Sequence, residues 1–158
     1  MVTFASSLVG ESLTAAAIGF GNATNSILLN GVDISLLALD TQAYSMPRDG
    51  VITSIAAYCS ITVGLSLPVS TATVYAELYQ STAPDDDFSP LPGTLVTLAP
   101  SLTGSVAVGT VLHNILEGLS IPVSAETRLM LVFTVDISAG VPLATGITAH
   151  VGGGIALS

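Results

Sequence analysis

The run TRLMLVFTVDIS, Thr127 to Ser138, decides the fold when it is read in steps of two. Leu129, Leu131, Phe133, Val135 and Ile137 fall on one side, and Arg128, Met130, Val132, Thr134, Asp136 and Ser138 on the other. Successive side chains of a β-strand point to opposite faces, so the odd set is a core face. The even set is wet at its ends and apolar at Met130 and Val132. That pattern is expected where a sheet's outer face is itself partly covered.

The same period recurs on either side of this run. In TATVYAELYQ, Val74, Ala76 and Leu78 oppose Tyr75, Glu77 and Tyr79, and Glu77 marks its side as solvent or interface. From Val51 the odd positions Val51, Thr53, Ile55, Ala57, Cys59, Ile61 and Val63 make the better core face, against Ile52, Ser54, Ala56, Tyr58, Ser60 and Thr62. GITAHVGGGIALS gathers Ile147, Ala149, Val151, Ile155 and Leu157, with Thr148 and His150 opposite. Turn signals lie between: MPRDG at 46–50, STAPDDDFSPLPG at 81–93, LAPSLTG at 98–104 and ISAGVPLATG at 137–146. Pro-Arg-Asp-Gly reads as a type I turn. With segments at 25–39 and 95–112, eight to ten short strands are expected and helical periodicity is nearly absent. This is an all-β chain, a sandwich or jelly roll.

Part of the chain is written twice. GLSLPVSTATVYAELYQ (64–80) and GLSIPVSAETRLMLVFT (118–134) share seven of seventeen aligned residues. A loop glycine, a proline placed where no ladder donor is needed and a following strand would account for the unit. The two Greek keys of a jelly roll have room for two such units.

At 158 residues the chain fits one domain, 1–158. Half of its residues are hydrophobic and 8% are charged: eleven acids and two arginines, Arg48 and Arg128, with no lysine. A net charge of -9 argues against nucleic acid and anionic membrane as partners. A monomer of this size exposes roughly 7,000 Å², so each charge has to keep on the order of 500 Å² soluble. Ser and Thr solvation together with burial in an oligomer answers that deficit. No window of about 18 uninterrupted apolar residues suggests a membrane-inserted helix, and MVTFASS carries no basic n-region of a signal peptide. Cys59 has no internal disulfide partner and reads as a buried thiol.

Chemistry finds no foothold in the motifs. His113 and Glu117 stand four apart in LHNILE, and His150 is the other histidine. No H-E-x-x-H, G-x-S-x-G or Cys/His arrangement accompanies them. GFGNAT at 19–24 reads as a turn, because it lacks the third glycine and βαβ setting of a phosphate loop. Asn22 opens a formal glycosylation sequon. Asp85, Asp86 and Asp87 are hard-oxygen groups without EF-hand spacing. The expectation is no enzyme, no cofactor and no metal.

The runs SMPRDGVITSIAAY, AELYQSTAPDDDFSPLPGTLVTLAPSLTG and GLSIPVSAETRLMLVF resemble the C-terminal domain of collagen-like glycoproteins of the bacterial spore exosporium, the BclA/BclB type. The resemblance is strongest over 44–158, with 1–43 as a leading segment and first strands. It implies a TNF/C1q-like jelly roll, packed as a homotrimer at the outer end of a collagen-like filament. The role implied is a structural and surface-interaction protein on the spore surface, promoting trimerisation and adhering to the environment or a host. The alternative is a lectin-like or receptor-binding jelly-roll module whose Asp85–Asp87 loop takes calcium. From the alternation itself, the apolar residues opposite the core sets, Tyr75, Tyr79, Met130 and Val132, are the candidate trimer interface.

Overall fold

The computed structural model describes residues 1–18, 23–29, 33–35, 43–83, 85–142 and 144–158. Thirteen strands follow in chain order: β1 (Val2–Ser6), β2 (Ser12–Ile18), β3 (Ala23–Leu28), β4 (Ile34–Ser35), β5 (Tyr44–Ser45), β6 (Gly50–Ile61), β7 (Leu65–Ser81), β8 (Asp87–Pro90), β9 (Val96–Thr97), β10 (Leu102–Val106), β11 (Val111–Val123), β12 (Arg128–Gly140) and β13 (Gly146–Leu157). Every pairing among them is antiparallel. GFGN and the Asn22 sequon position lie outside the described residues, as do parts of the 25–39 segment.

Eight strands make the body. One sheet runs β11-β6-β13-β1 and the other β2-β12-β7-β10, joined into one curled ribbon where β1 pairs β2. Numbered along the chain, that is 1-8-3-6 facing 2-7-4-5, the strand order of a jelly roll. The inner faces share one core: Phe4, Ile55, Cys59, Val74, Leu131, Phe133 and Ile147 are all buried in a single cluster. Phe4 of one sheet meets Phe133 of the other at 6.4 Å between ring centroids. On the far side, Tyr75 and Ala76 pair with β9, and Ala99 bridges His113 of β11, which stitches the two sheets together there.

Alternation accounts for most of this. Leu129, Leu131, Phe133 and Val135 are inward as expected, as are Ile55, Ala57, Cys59 and Ile61. At the start of β6 the expected parity fails: Ile52 is buried, while Val51 and Thr53 are only partly so. The ladder to β13 skips Thr53 between Ile52 and Ser54, and such a bulge reverses the facing of every residue beyond it. Val63, expected inward, stands 55% exposed in the turn after β6.

The repeat is used differently in its two places. Its first copy begins β7, where the pairing with β10 jumps from Leu67 to Thr71 and leaves Pro68 in a bulge. Its second copy ends β11, where Pro122 lies opposite Val51. Val51 gives both its N–H and its C=O to Ser158, so the N–H that proline lacks has no acceptor waiting on β6. The glycines also differ, since only Gly118 has a positive φ, 73°. What the copies share is the strand that follows: β7 and β12 are neighbours, with Leu78 opposite Leu131.

Candidate functional site

The four residues expected at an interface lie on the outer face of the β2-β12-β7-β10 sheet, and the chain itself covers that face. Tyr79, Met130 and Val132 are buried in a second apolar cluster with Ala15, Ala17, Ile27, Ile34 and Phe88. Ile34 of β4 pairs with Phe88 of β8, and these short strands supply the lid. The expectation that Tyr79, Met130 and Val132 present an uncovered surface is therefore corrected; Tyr75 alone of the four is only partly buried. Burial, with Glu77 and Asp33 adding negative charge, pushes the Tyr79 phenol up to about 12. Burial likewise raises the neighbouring Glu77 carboxyl above its ordinary value.

The 81–93 stretch contributes to this lid instead of forming a wholly solvated loop. Phe88 is buried and carries the Arg128 guanidinium 5.1 Å from its ring centroid. Arg128 donates to the Asp85 carbonyl and pairs with Asp86 at 3.0 Å. Asp85 Oδ1 accepts from the Ser81 hydroxyl and from the Asp87 N–H. One carboxylate oxygen of Asp85 and one of Asp86 are thus engaged by protein donors, and no three metal-binding side chains gather among the described residues.

The bare surface is on the other sheet. Register across β11, β6 and β13 places Val111, Ser60 and His150 in one row, His113, Tyr58 and Gly152 in the next, and Ile115, Ala56 and Gly154 in a third. Their strand neighbours Leu112, Cys59 and Ala149 are buried, so these rows point outward. Tyr58 is 43% and Ile115 51% exposed. A Cβ added at Gly152 or Gly154 would meet nothing within 4 Å, whereas one at the inward Gly153 would strike Leu131. Small residues beside one aromatic leave an open hollow of about 290 Å³, lined by Ala56, Tyr58, His113 and the three glycines. Glu117, opposite Ser54, is the one carboxylate on these rows and sits at their margin.

Sequence reasoning missed this face. The signal available was Tyr58 among Ala56, Ser60 and the Gly152–Gly154 run, small residues that leave an aromatic uncovered. His113 and His150 do share the face, but they occupy different rows, flanked by Tyr58 and Ser60. Cys59 is buried as expected, and burial pushes its thiol up to about 12.

No family model matches the chain. Over 155 residues it is 32% identical to Collagen-like protein 1 of Acanthamoeba polyphaga mimivirus, covering 94% of this chain and 16% of that protein. The chain thus spans about a sixth of the length of the curated relative it matches. Among solved structures, infectious bursal disease virus, Gx strain, aligns over 98% of this chain and 32% of its own, at 11% identity and a TM-score of 0.33. That likeness is too slight to bear on the fold, which rests on the strand order. In sequence, the chain is similar to one portion of a collagen-like protein.

Proposed function

We propose that this chain is a structural domain of a collagen-like protein, which joins three copies through the outer face of its β11-β6-β13 sheet and holds them on a surface filament. The observation that carries the reading is that face: Tyr58, Ile115 and Val111 exposed over Ala56, Gly152 and Gly154, with no charge among them. Copies each carrying -9 repel one another, and a surface whose one carboxylate, Glu117, sits at its margin is where they can meet. Two copies would bury the patch as well as three. The likeness to a collagen-like protein favours three, because a collagen helix winds three chains and a domain joined to it is present in triplicate. Closed rotational symmetry also terminates the assembly.

The finer placement, on the spore exosporium with adhesion to the environment or a host, rests on the sequence resemblance and belongs to this proposal. The role is architectural and not catalytic. Light scattering after gel filtration tests the assembly: a mass three times the 15.9 kDa chain is expected, and a monodisperse monomer at micromolar concentration refutes it. Immunogold labelling of intact spores tests the placement, and label confined to the spore interior would refute that part.

A further inference from the structure

We infer that the loops at one end of the sandwich form an apolar tip that inserts shallowly into uncharged, zwitterionic lipid surfaces. Strand register brings four connections to that end: β1–β2 (7–11), β6–β7 (62–64), β10–β11 (107–110) and the chain leaving β12 at Val141. Each carries an aliphatic side chain in solvent. Leu8 is 80%, Val9 69%, Val63 55%, Val108 67% and Val141 57% exposed, and Val69, in the β7 bulge beside Val141, is 62% exposed.

The loops are held together. Ser6 N–H donates to the Thr145 carbonyl, Ile137 N–H to the Gly10 carbonyl, Val141 N–H to the Val69 carbonyl, and Gly109 N–H to the Ile61 carbonyl. The aliphatic groups are therefore presented on a braced framework. Gly10 and Gly109 adopt φ of 87° and 86°, which lets their turns reverse tightly behind Val9 and Val108.

The opposite end differs in kind. Arg48, Asp49, Asp85, Asp86, Asp87, Glu126 and Arg128 all belong there, beside Ser158, whose N–H bonds the Val51 carbonyl. Among the described residues, the apolar end carries only Glu11 and Asp136, and Asp136 accepts from the Ser12 hydroxyl. Ser158 is bonded to Val51 at the charged end, so a segment joined after it would leave there, clear of the tip.

The chemistry of the tip selects its partner. Protein partners are gripped by aromatic and arginine anchors packed in pockets; here the exposed apolar groups are Leu and Val, carried on separate loops. A fluid apolar phase takes up separate groups without shape complementarity. With no Lys or Arg at this end and a net charge of -9, the tip has no attraction for an anionic headgroup. The inference is independent of the trimer, since a single chain carries the same loops, although three tips side by side would bind with greater avidity.

Flotation of the intact chain with vesicles tests it. Binding to pure phosphatidylcholine vesicles is expected, and less binding where phosphatidylserine replaces part of that lipid. The double variant Val9→Asp/Val108→Asp should bind at least about tenfold more weakly, as two aliphatic groups no longer leave water, with its solution mass unchanged. Absence of flotation, stronger flotation on phosphatidylserine, or undiminished flotation of the variant would overturn the inference. A changed mass in the variant would also overturn it, by showing that the tips join copies of the chain. Flotation by a chain of monomeric mass would leave this inference standing and remove only the trimer.

Discussion

Replacing Tyr58 by Asp separates assembly from folding. Tyr58 projects from β6 on the bare face, flanked by His113 and Gly152, and 43% of its surface is in water. Full burial of a large apolar side chain stabilises by about 1.5–3 kcal/mol, so covering the exposed part of Tyr58 contributes about 0.6–1.3 kcal/mol per copy. Across three copies that is about 2–4 kcal/mol, or about 30- to 1,000-fold in the assembly constant. Three carboxylates brought into the middle of that face add desolvation and mutual repulsion. Within the single chain the substitution touches solvent, and such changes usually alter stability by no more than about 0.5 kcal/mol. Light scattering at several concentrations should show trimer passing to monomer, while a urea melt of the dissociated chain stays cooperative. A Tyr58→Asp chain that keeps the wild-type mass at low micromolar concentration would refute the assignment of this face.

Met130→Asp should behave in the opposite way: Met130 is 3% exposed inside the lid cluster, and emptying such a site costs about 2–5 kcal/mol before the charge is counted. Circular dichroism should show loss of the fold, and a folded chain altered only in mass would restore the interface reading of that face. Cys59 should ignore thiol reagents until the chain unfolds, because its thiol is buried and pushed up to about 12; rapid labelling of native protein would contradict its place in the core. Glu77 has a folded-state carboxyl raised by burial, so the folded chain holds its proton more firmly than the unfolded chain. That contribution is full below the ordinary carboxylate range and is lost as pH rises through the raised value. Glu77→Gln should accordingly raise the melting temperature at neutral pH, with the gain fading as pH falls to about 4; a gain independent of pH would point elsewhere.

How far the sequence could be read depends on the range of the interaction in question. The inward faces of β12 and β7 are set by local alternation, and Leu129 to Val135 and Val74 to Leu78 are inward as the period requires. The doubly apolar middle of β12 also showed that something covers Met130 and Val132. Its identity was not legible, because Ile27, Ile34 and Phe88 arrive from distant parts of the chain, and Phe88 stands in an acidic, proline-rich stretch that reads as solvated. The slip at Thr53 was hidden for a similar reason, since a bulge depends on the partner strand and leaves no local periodic mark. The bare face required register as well. His113, Tyr58 and Gly152 become one row only when β11, β6 and β13 lie side by side.

The two sheets explain the composition together. A chain with thirteen charged residues cannot leave both outer faces of a sandwich apolar and remain dispersed. It covers one face with its own β3, β4 and β8 segments, where Tyr79, Met130 and Val132 lie beneath Ile27, Ile34 and Phe88. On the other it offers small residues around Tyr58 and keeps its one carboxylate there, Glu117, at the margin. A lone monomer would gain solubility at no structural cost by setting Lys or Glu at Ala56, Gly152 or Gly154, since each lies on an outward row and an added Cβ at either glycine meets nothing. The proposed threefold packing through this face would give the small residues a physical reason, because they would let neighbouring sheets approach closely around a single aromatic. The opposed outcomes of Tyr58→Asp and Met130→Asp would follow from that division: on one sheet assembly covers the apolar surface, and on the other the fold does.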